Sequence, residues 1–301
     1  MRSLRAARRW PSSARLSHRR SLLALSLVLV SLFTSSACGE KAEPTGASVP
    51  LYPVSVRDAD GRLVALKIRP ESIAVAGSAA VELASSLSLK VTRFGTGSGD
   101  LDLGLIRTTK PPLILVSSDI DKIATNQARA LGIAVYVVPD RTLDGIEQAL
   151  SDVSLLAGVP VRGRIARKQM AEVREEVQTA VTTVKPVRVF FDLGHFATVS
   201  DSSFIGSLIS EAGGTNVAGP DVQEGPFPLK RLRRLRPEVL VIGTDSRLTL
   251  AKLRRNPATR WLPAVRTGRL VLVNMQLLKA GPEAVDGLRD LAAAFHPNAF
   301  H

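Results

Sequence analysis

The 301-residue sequence is poor in cysteine and in aromatic residues, and each scarcity excludes or disfavours a class of protein. A single cysteine excludes a disulfide-stabilised module and a zinc site built from several thiolates. Aromatic residues make up only 4% of the chain, which disfavours a nucleic-acid partner. The apolar share of 45% is too high for a disordered chain. The length suits one large domain or two lobes.

The sequence also lacks the short motifs of common enzyme classes. It contains no G-x-S-x-G elbow, no H-E-x-x-H pair and no phosphate-binding P-loop. Three of its four histidines, His18, His296 and His301, lie in the leader or at the tail. We therefore expect no catalytic residue, no resident metal and no cofactor.

Positive charge is plentiful, with 40 Lys and Arg against 27 Asp and Glu, and it is unevenly placed. Seven arginines precede the first acidic residue, and an apolar run, Ser21 to Phe33, follows them. This order predicts a secretory signal peptide over residues 1–37, since the run is shorter than the ~20 residues of a membrane span. The stretch His18 to Ala24 (HRRSLLA) also resembles a twin-arginine signal, so the Sec and Tat routes both stay open.

The lone cysteine, Cys38, directly follows Ser-Ser-Ala, an arrangement that resembles a bacterial lipobox. Ser35 stands where leucine is usual, and the alternative is an ordinary signal peptide ending near a free thiol. We expect lipidation of Cys38, a linker to residue 52, and a protein on the outer face of the membrane. The chain from Cys38 onward has a net charge of 33 − 27 = +6.

Short apolar runs alternate with helical patterns from residue 53 onward. Six of these runs predict buried strands, at 72–76, 112–117, 133–138, 187–193, 239–243 and 269–274. Apolar strands separated by helices indicate parallel sheets covered on both faces. A long helical stretch between the third and fourth strands is interrupted once, at Gly158-Val-Pro160. The pattern predicts an α/β protein with lobes at 53–141 and 185–301, joined by a rigid helical hinge at 142–184.

Three segments of the second half together resemble a known family. They are Phe190–Gly219 with its GG-x-N turn, Arg236–Gly243 (RPEVLVIG) and Trp261–Pro297. They are similar to the helical-hinge periplasmic binding proteins, which capture cobalamin, ferric siderophores and haem for ABC importers. The resemblance implies a ligand cleft between the lobes, a small closing movement and an ABC permease as partner. We expect the chain to act as a monomer.

The loops at the carboxyl ends of the strands supply the candidate ligand residues, because ligands of open α/β sheets bind there. The candidates are Ser78 and Asp119 in the first lobe, and His195, Phe196, Phe227, Thr244, Asp245, Arg247, Met275 and Lys279 in the second. His195 could ligate a metal or bond a ligand carboxylate, or simply be a loop histidine. Phe196 and Phe227 could stack on a ligand or belong to the core. Arg247 lies in a basic region that favours an anionic metal complex or, alternatively, lipid headgroups.

Two departures from the family pattern open a second hypothesis. Importer-coupled members carry a glutamate seven residues before the proline of each Lys-Pro or Asp-Pro strand entry, for docking to the permease. Here those positions hold Gly104 and Lys230. In addition, only residues 90–105 are available where the family has a longer loop. The alternative is therefore a binding fold reused as an envelope sensor or assembly factor with no transported solute.

Overall fold

The computed structural model describes residues 52–95, 100–223 and 225–300. The predicted signal peptide, Cys38 and the linker before residue 52 lie outside these residues. Residues 46–301 form one compact unit, which contains every element described below. Its apolar cores are built from its own residues, so we expect this unit to fold on its own.

The N-terminal lobe is a four-stranded parallel sheet with a small hairpin beside it. Its elements are β1 (Val54–Arg57), β2 (Leu63–Leu66), β3 (Ile73–Ala76), α1 (Ser78–Ser86), β4 (Val91–Arg93), α2 (Leu103–Thr109), β5 (Leu113–Val116), α3 (Lys122–Ala130) and β6 (Ala134–Val137). The strand order is β4-β3-β5-β6, with Ile73 opposite Leu113, while β1 and β2 pair antiparallel. Strands β3 and β5 are buried at every residue, as their unbroken apolar sequence predicts.

Two helices connect the lobes. Helix α4 (Leu143–Leu156) is capped by Thr142, whose hydroxyl accepts a hydrogen bond from the backbone N–H of Gly145 at 3.1 Å. Helix α5 (Pro160–Val181) starts with a proline, which is favourable at a first helical position because no N–H is lost. Its 22 residues span about 33 Å at 1.5 Å each.

The C-terminal lobe repeats the design of the first. Its elements are β7 (Val187–Asp192), α6 (Phe204–Glu211), β8 (Gly214–Asn216), α7 (Leu229–Leu235), β9 (Val239–Gly243), α8 (Leu250–Arg255), α9 (Pro263–Thr267), β10 (Leu270–Val273), a 3₁₀ turn (Met275–Leu278), α10 (Ala284–Phe295) and a second 3₁₀ turn (Pro297–Ala299). The parallel strand order is β10-β9-β7-β8, with Phe190 opposite Leu240. The predicted α/β class with two parallel-sheet lobes and a hinge helix is thereby confirmed.

Alternate residues of β7 and β9 pack on opposite faces of the C-terminal sheet. Phe190 and Leu240 join a core under α7, α8 and α9. Val189 and Phe191 join the larger core under α6 and α10. That larger core continues through α4 and α5 to Leu83 and Leu115 of the N-terminal lobe. One apolar core therefore runs through the hinge from lobe to lobe, which favours a stiff connection.

The lobes also share an unusual helix end. Helices α2 and α7 each have seven residues and stop at a cation in the left-handed conformation, Lys110 (φ 45°) and Arg236 (φ 50°). A proline follows each cation and leads into β5 or β9. Gly104 lies in α2 and Lys230 in α7, both exposed, so the two positions expected to be acidic occupy equivalent helices.

Candidate functional site

A cavity of about 680 Å³ lies at the carboxyl ends of β7, β9 and β10 in the C-terminal lobe. Its lining residues are Asp192, Leu193, Gly194, His195, Phe196, Gly243, Asp245, Ser246, Arg247, Leu248, Lys252 and Met275. A Cβ built on Gly243 would lie 2.5 Å from Asp245 Oδ1 and 3.0 Å from Met275 Cγ. The absence of a side chain at Gly243 thus lets the loops after β9 and β10 close around the end of the strand.

The carboxylate of Asp192 shapes one wall of this cavity. Asp192 is the last residue of β7 and is only 5% exposed. Its Oδ1 accepts hydrogen bonds from the backbone N–H groups of Gly194 and Phe196, both at 2.8 Å. Gly194, His195 and Phe196 all have positive φ, at 116°, 53° and 63°. A left-handed backbone is unfavourable for residues with a side chain, and the two bonds to Asp192 offset that cost.

Burial raises the pKa of the Asp192 carboxyl above its ordinary value. The two backbone hydrogen bonds and the nearby His195 lower the pKa again, but by less than burial raises it. Sequence analysis did not select Asp192. The available signal was an aspartate two residues before a glycine at a strand end, which is typical of a turn closed by the aspartate side chain.

Five of the predicted ligand residues come together in this cavity: His195, Phe196, Asp245, Arg247 and Met275. His195 and Arg247 are exposed, whereas Phe196 and Met275 are half-buried. Thr244 is exposed beside Gly243, and its backbone N–H donates to the carbonyl of Val273 at 2.9 Å. The ligand role of these residues stays a prediction, but their grouping gives the site a cationic, a thioether, an imidazole and an aromatic group.

Lys252 is a further cation of the site that sequence analysis did not select. It lies on α8, its ammonium donates to the carbonyl of Arg247 at 2.8 Å, and it lines the same cavity. Arg247 and Lys252 therefore hold two positive charges near the two carboxylates of Asp192 and Asp245. Guanidinium and ammonium groups in a cavity can bind carboxylate or phosphate groups of a ligand.

Phe227 packs in the core of the C-terminal lobe and does not line the cavity. Its ring is 6% exposed and meets Phe190 edge-on, with centroids 5.4 Å apart. The Arg231 guanidinium covers it at 5.1 Å from the ring centroid. Of the two roles considered for this ring, the structure supports the core. The contact with the site is made by backbone, since the N–H of Phe227 donates to the carbonyl of Phe196 at 2.8 Å.

The candidate residues of the N-terminal lobe lie together at the start of α1. Ser78 is the first residue of this helix, and Asp119 follows β5; both are exposed. A Cβ on Gly77 (φ 86°) would lie 3.3 Å from Asp119 Oδ1. The Ser117 hydroxyl accepts the backbone N–H of Ala80 at 3.1 Å and so helps to fix the start of the helix.

Two polar contacts join the lobes near these loops. Lys279 Nζ lies 3.7 Å from Glu82 Oε1 on α1. Arg141, just after β6, donates to the carbonyl of Ser202 in the loop before α6 at 3.3 Å. Lys279 thus reaches the opposite lobe, in a position to close one side of the cleft.

A second, smaller cavity of about 340 Å³ lies in the N-terminal lobe beside the ends of β5 and β6. Polar residues at its wall include Asp60, Ser118, Lys122, Asp140 and Arg141. Asp140 accepts the backbone N–H of Ser118 at 2.9 Å, which fixes this wall. None of these residues was selected from the sequence.

Neither a metal cluster nor a membrane-spanning helix is found in the part of the chain that the structure describes. Within residues 52–95, 100–223 and 225–300, no three His, Cys, Asp or Glu side chains gather as metal ligands would. No helix in the same ranges is both long and apolar enough to cross a bilayer.

Comparison with known proteins gives a consistent set of relatives. The model of a family described as periplasmic binding protein matches residues 60–277. A Halobacterium salinarum protein named cobalamin-binding protein is 24% identical, over 81% of this chain and 74% of its own.

Two solved structures have the same fold. Helicobacter pylori CeuE, solved as a nickel–histidine complex, aligns with a TM-score of 0.68 at 16% identity, covering 83% of this chain and 90% of its own. The periplasmic vitamin B12 binding protein BtuF of Vibrio cholerae aligns with a TM-score of 0.65 at 20% identity, covering 77% and 99%. At these identities the structural matches establish the fold alone.

Proposed function

Because the chain belongs to the family of periplasmic binding proteins, we propose that it is a lipid-anchored solute-binding protein of an ABC importer on the outer face of the membrane. Its solute is cobalamin or an iron complex, namely a ferric siderophore or haem. The family membership confirms the resemblance recognised in the second half of the sequence. The anchor, the solute and the monomeric state are the proposed parts.

The cavity at the carboxyl ends of β7, β9 and β10 carries this proposal. Its volume of about 680 Å³ lies within the range typical of small-molecule sites. His195 projects from a loop that Asp192 holds in place through two hydrogen bonds to its backbone. A loop fixed by such bonds loses less conformational entropy on binding, which suits capture of a dilute solute.

The charges and the relatives favour particular solutes. Arg247 and Lys252 favour a ligand with phosphate or carboxylate groups. His195 can bond such a group or ligate the metal of a complex. Cobalamin is the first candidate, because the Halobacterium salinarum protein that matches 81% of this chain is named a cobalamin-binding protein. The predicted small closing movement agrees with the apolar core that runs through α4 and α5.

The proposal is tested by thermal unfolding of residues 46–301 with cyanocobalamin, ferric siderophores, haem and free metal ions. A ligand at a hundred times its Kd stabilises by about 2.7 kcal/mol, or roughly 5 to 10 °C for a domain of this size. Replacing His195→Ala or Arg247→Gln should reduce the shift. Arg164→Gln, an exposed residue of α5, is the matched control and should leave the shift unchanged. A panel in which no compound raises the Tm would contradict the proposed solutes.

The anchor is tested separately. A bacterial host expressing the full chain should retain it in the membrane fraction and attach labelled fatty acid to it, whereas Cys38→Ser should carry no label. Release of the wild-type chain into the soluble fraction, as an ordinary cleaved signal peptide predicts, would contradict the anchor.

One observation favours the second candidate function, an envelope sensor or assembly factor. Gly104 and Lys230 leave both equivalent helices, α2 and α7, without the expected acidic docking residue. This candidate predicts no ligand-induced stabilisation. It also predicts that the protein is recovered with envelope proteins other than a permease.

A further inference from the structure

The outward face of α7, α8 and α9 is strongly basic, and we propose that it binds the anionic headgroups of a phospholipid bilayer. This face, here called the basic face, is defined by its exposed cations Lys230, Arg231, Arg233, Arg234, Arg236, Lys252, Arg254, Arg255, Arg260 and Arg266. It overlaps the proposed solute site at Lys252, which also lines the cavity, and it includes Lys230, one of the two positions where importer-coupled members carry a docking glutamate.

The packing of the three helices places these cations on one side of the molecule. Leu232 of α7, Leu253 of α8 and Val265 of α9 are buried in the same core, against Phe190 and Leu240 of the sheet. All three helices therefore cover one face of the C-terminal sheet. In α7 the inward residues recur every three positions, and the cations fill the positions between them.

Local carboxylates do not neutralise the basic face. Between residues 228 and 269 the sequence contains only two acidic residues, Glu238 and Asp245. Glu238 accepts the backbone N–H of Arg188 at 3.0 Å, and Asp245 lines the cavity. Among the ion pairs formed within residues 52–95, 100–223 and 225–300, none includes a cation of the basic face.

The cations around the hinge behave differently. Arg174 of α5 contacts Asp144 and Glu147, both at 2.8 Å, and Arg289 of α10 contacts Glu176 at 2.7 Å. These two cations on the opposite side of the C-terminal sheet are thus paired, whereas no cation of the basic face forms an ion pair within the described residues. This asymmetry would orient the protein at a negatively charged surface.

Trp261 adds an apolar group to the basic face. It lies between α8 and α9, is 51% exposed, and its ring is covered by the Arg260 guanidinium at 4.9 Å from the ring centroid. An exposed indole among arginines suits the headgroup region of a bilayer, because its ring is apolar and its N–H can donate a hydrogen bond. An exposed indole beside arginines also suits a protein interface. The proposed lipid anchor at Cys38 would hold this chain beside a bilayer, so lipid is the favoured partner.

The proposed anchor would hold the protein beside a bilayer. If Cys38 carries the lipid, the 14 residues to Tyr52 extend at most about 50 Å. The inference does not require a solute, however. Its test contains no ligand, and the ligand panel contains no lipid, so the two proposals can fail independently.

The test uses residues 46–301 and vesicles of phosphatidylcholine with or without phosphatidylglycerol. In this part of the chain Trp261 is the only tryptophan, since the other, Trp10, lies in the leader. We expect a blue shift of its fluorescence and co-sedimentation with the phosphatidylglycerol vesicles only. Both should weaken as salt is added, because exposed charges are screened.

A charge variant and its matched control locate the binding face. The variant Lys230→Gln with Arg233→Gln and Arg234→Gln removes three cations of α7. The control Arg164→Gln with Arg167→Gln and Lys168→Gln removes three exposed cations of α5. Each basic residue near an anionic surface contributes about a fivefold gain in binding, so the α7 variant should bind at least about tenfold more weakly. Unchanged thermal unfolding of both variants would show that they fold.

Binding of the control at the wild-type level, with loss in the α7 variant, supports the proposal. An equal loss of vesicle binding in both variants would show that binding depends only on net charge, and it would overturn the proposal. Absence of any phosphatidylglycerol-dependent binding by the wild type would also overturn it. So would binding that requires permease in the vesicles, which would assign the basic face to a protein partner.

Discussion

The side chain of Asp192 should control both the stability of the C-terminal lobe and the readiness of the ligand loop. Replacing Asp192→Ala removes the acceptor of two backbone hydrogen bonds in a residue that is 5% exposed. Hydrogen bonds to charged groups contribute about 1.5 to 3 kcal/mol each. Gly194 and Phe196 are only half-buried, so water can replace part of the loss. We expect the free energy of unfolding to fall by about 2 kcal/mol.

The conservative variant Asp192→Asn separates the hydrogen bonds from the charge. It can keep an oxygen acceptor for the two N–H groups, so its loss at neutral pH should be smaller than that of Asp192→Ala. Urea unfolding of residues 46–301, followed by circular dichroism, measures both. Equal stability of the wild type and Asp192→Ala would refute the conclusion that this carboxylate holds the loop.

The raised pKa of Asp192 also fixes the sign of a pH effect. The carboxyl loses its proton more readily in the unfolded chain than in the folded protein, because burial raises the pKa of the folded form. This group therefore makes stability fall as pH rises from the ordinary aspartate range through the raised value. Asp192→Asn lacks the titration, so its stability relative to the wild type should improve over the same window. If the free energy of unfolding of the wild type rose relative to that of Asp192→Asn as the pH increases, a raised pKa at Asp192 would be contradicted.

Two further replacements test the core and the hinge. Phe227→Leu should lower the free energy of unfolding by about 1 kcal/mol and leave ligand affinity unchanged, because the ring packs on Phe190. A marked loss of affinity without loss of stability would show that Phe227 contacts the ligand. Arg174→Ala removes the partner of Asp144, Glu147 and Glu211. The free energy of unfolding should fall by about 2 kcal/mol at neutral pH, and by less in acid, because these carboxyls are then protonated. Urea unfolding at both pH values measures the two losses, and equal losses would contradict the role of the ion pairs.

The sequence predicts best those elements that are buried on both faces. The six predicted strands correspond to β3, β5, β6, β7, β9 and β10, and the interruption at Gly158 corresponds to the gap between α4 and α5. The three-residue strands β4 and β8 gave no apolar run, because each is short and contains polar residues. Helix α7 was missed because its sequence, LKRLRRL, buries one residue and otherwise consists largely of cations.

The site was predictable in part for a similar reason. Residues directly after a strand, such as His195 and Asp245, can be assigned to the carboxyl edge once the strand is known. Asp192 was missed because its role depends on backbone geometry, namely the positive φ values of Gly194, His195 and Phe196. Lys252 belongs to the site only because α8 folds back over the loop of Arg247. The spacing of Asp192 and Gly194 was the one available signal for the first relation, and residue spacing gives no signal for the second.

Hydrogen exchange most directly tests the central claim that a solute binds between the lobes at these loops. Backbone amides of residues 46–301 would be followed without ligand and with cyanocobalamin, a ferric siderophore and haem in turn. We expect one of these ligands to slow exchange at Gly194 to Ala197 and Thr244 to Leu248, together with the segment around Ser78 and Asp119. Protection confined to other surfaces, or none with any of the three, would contradict it.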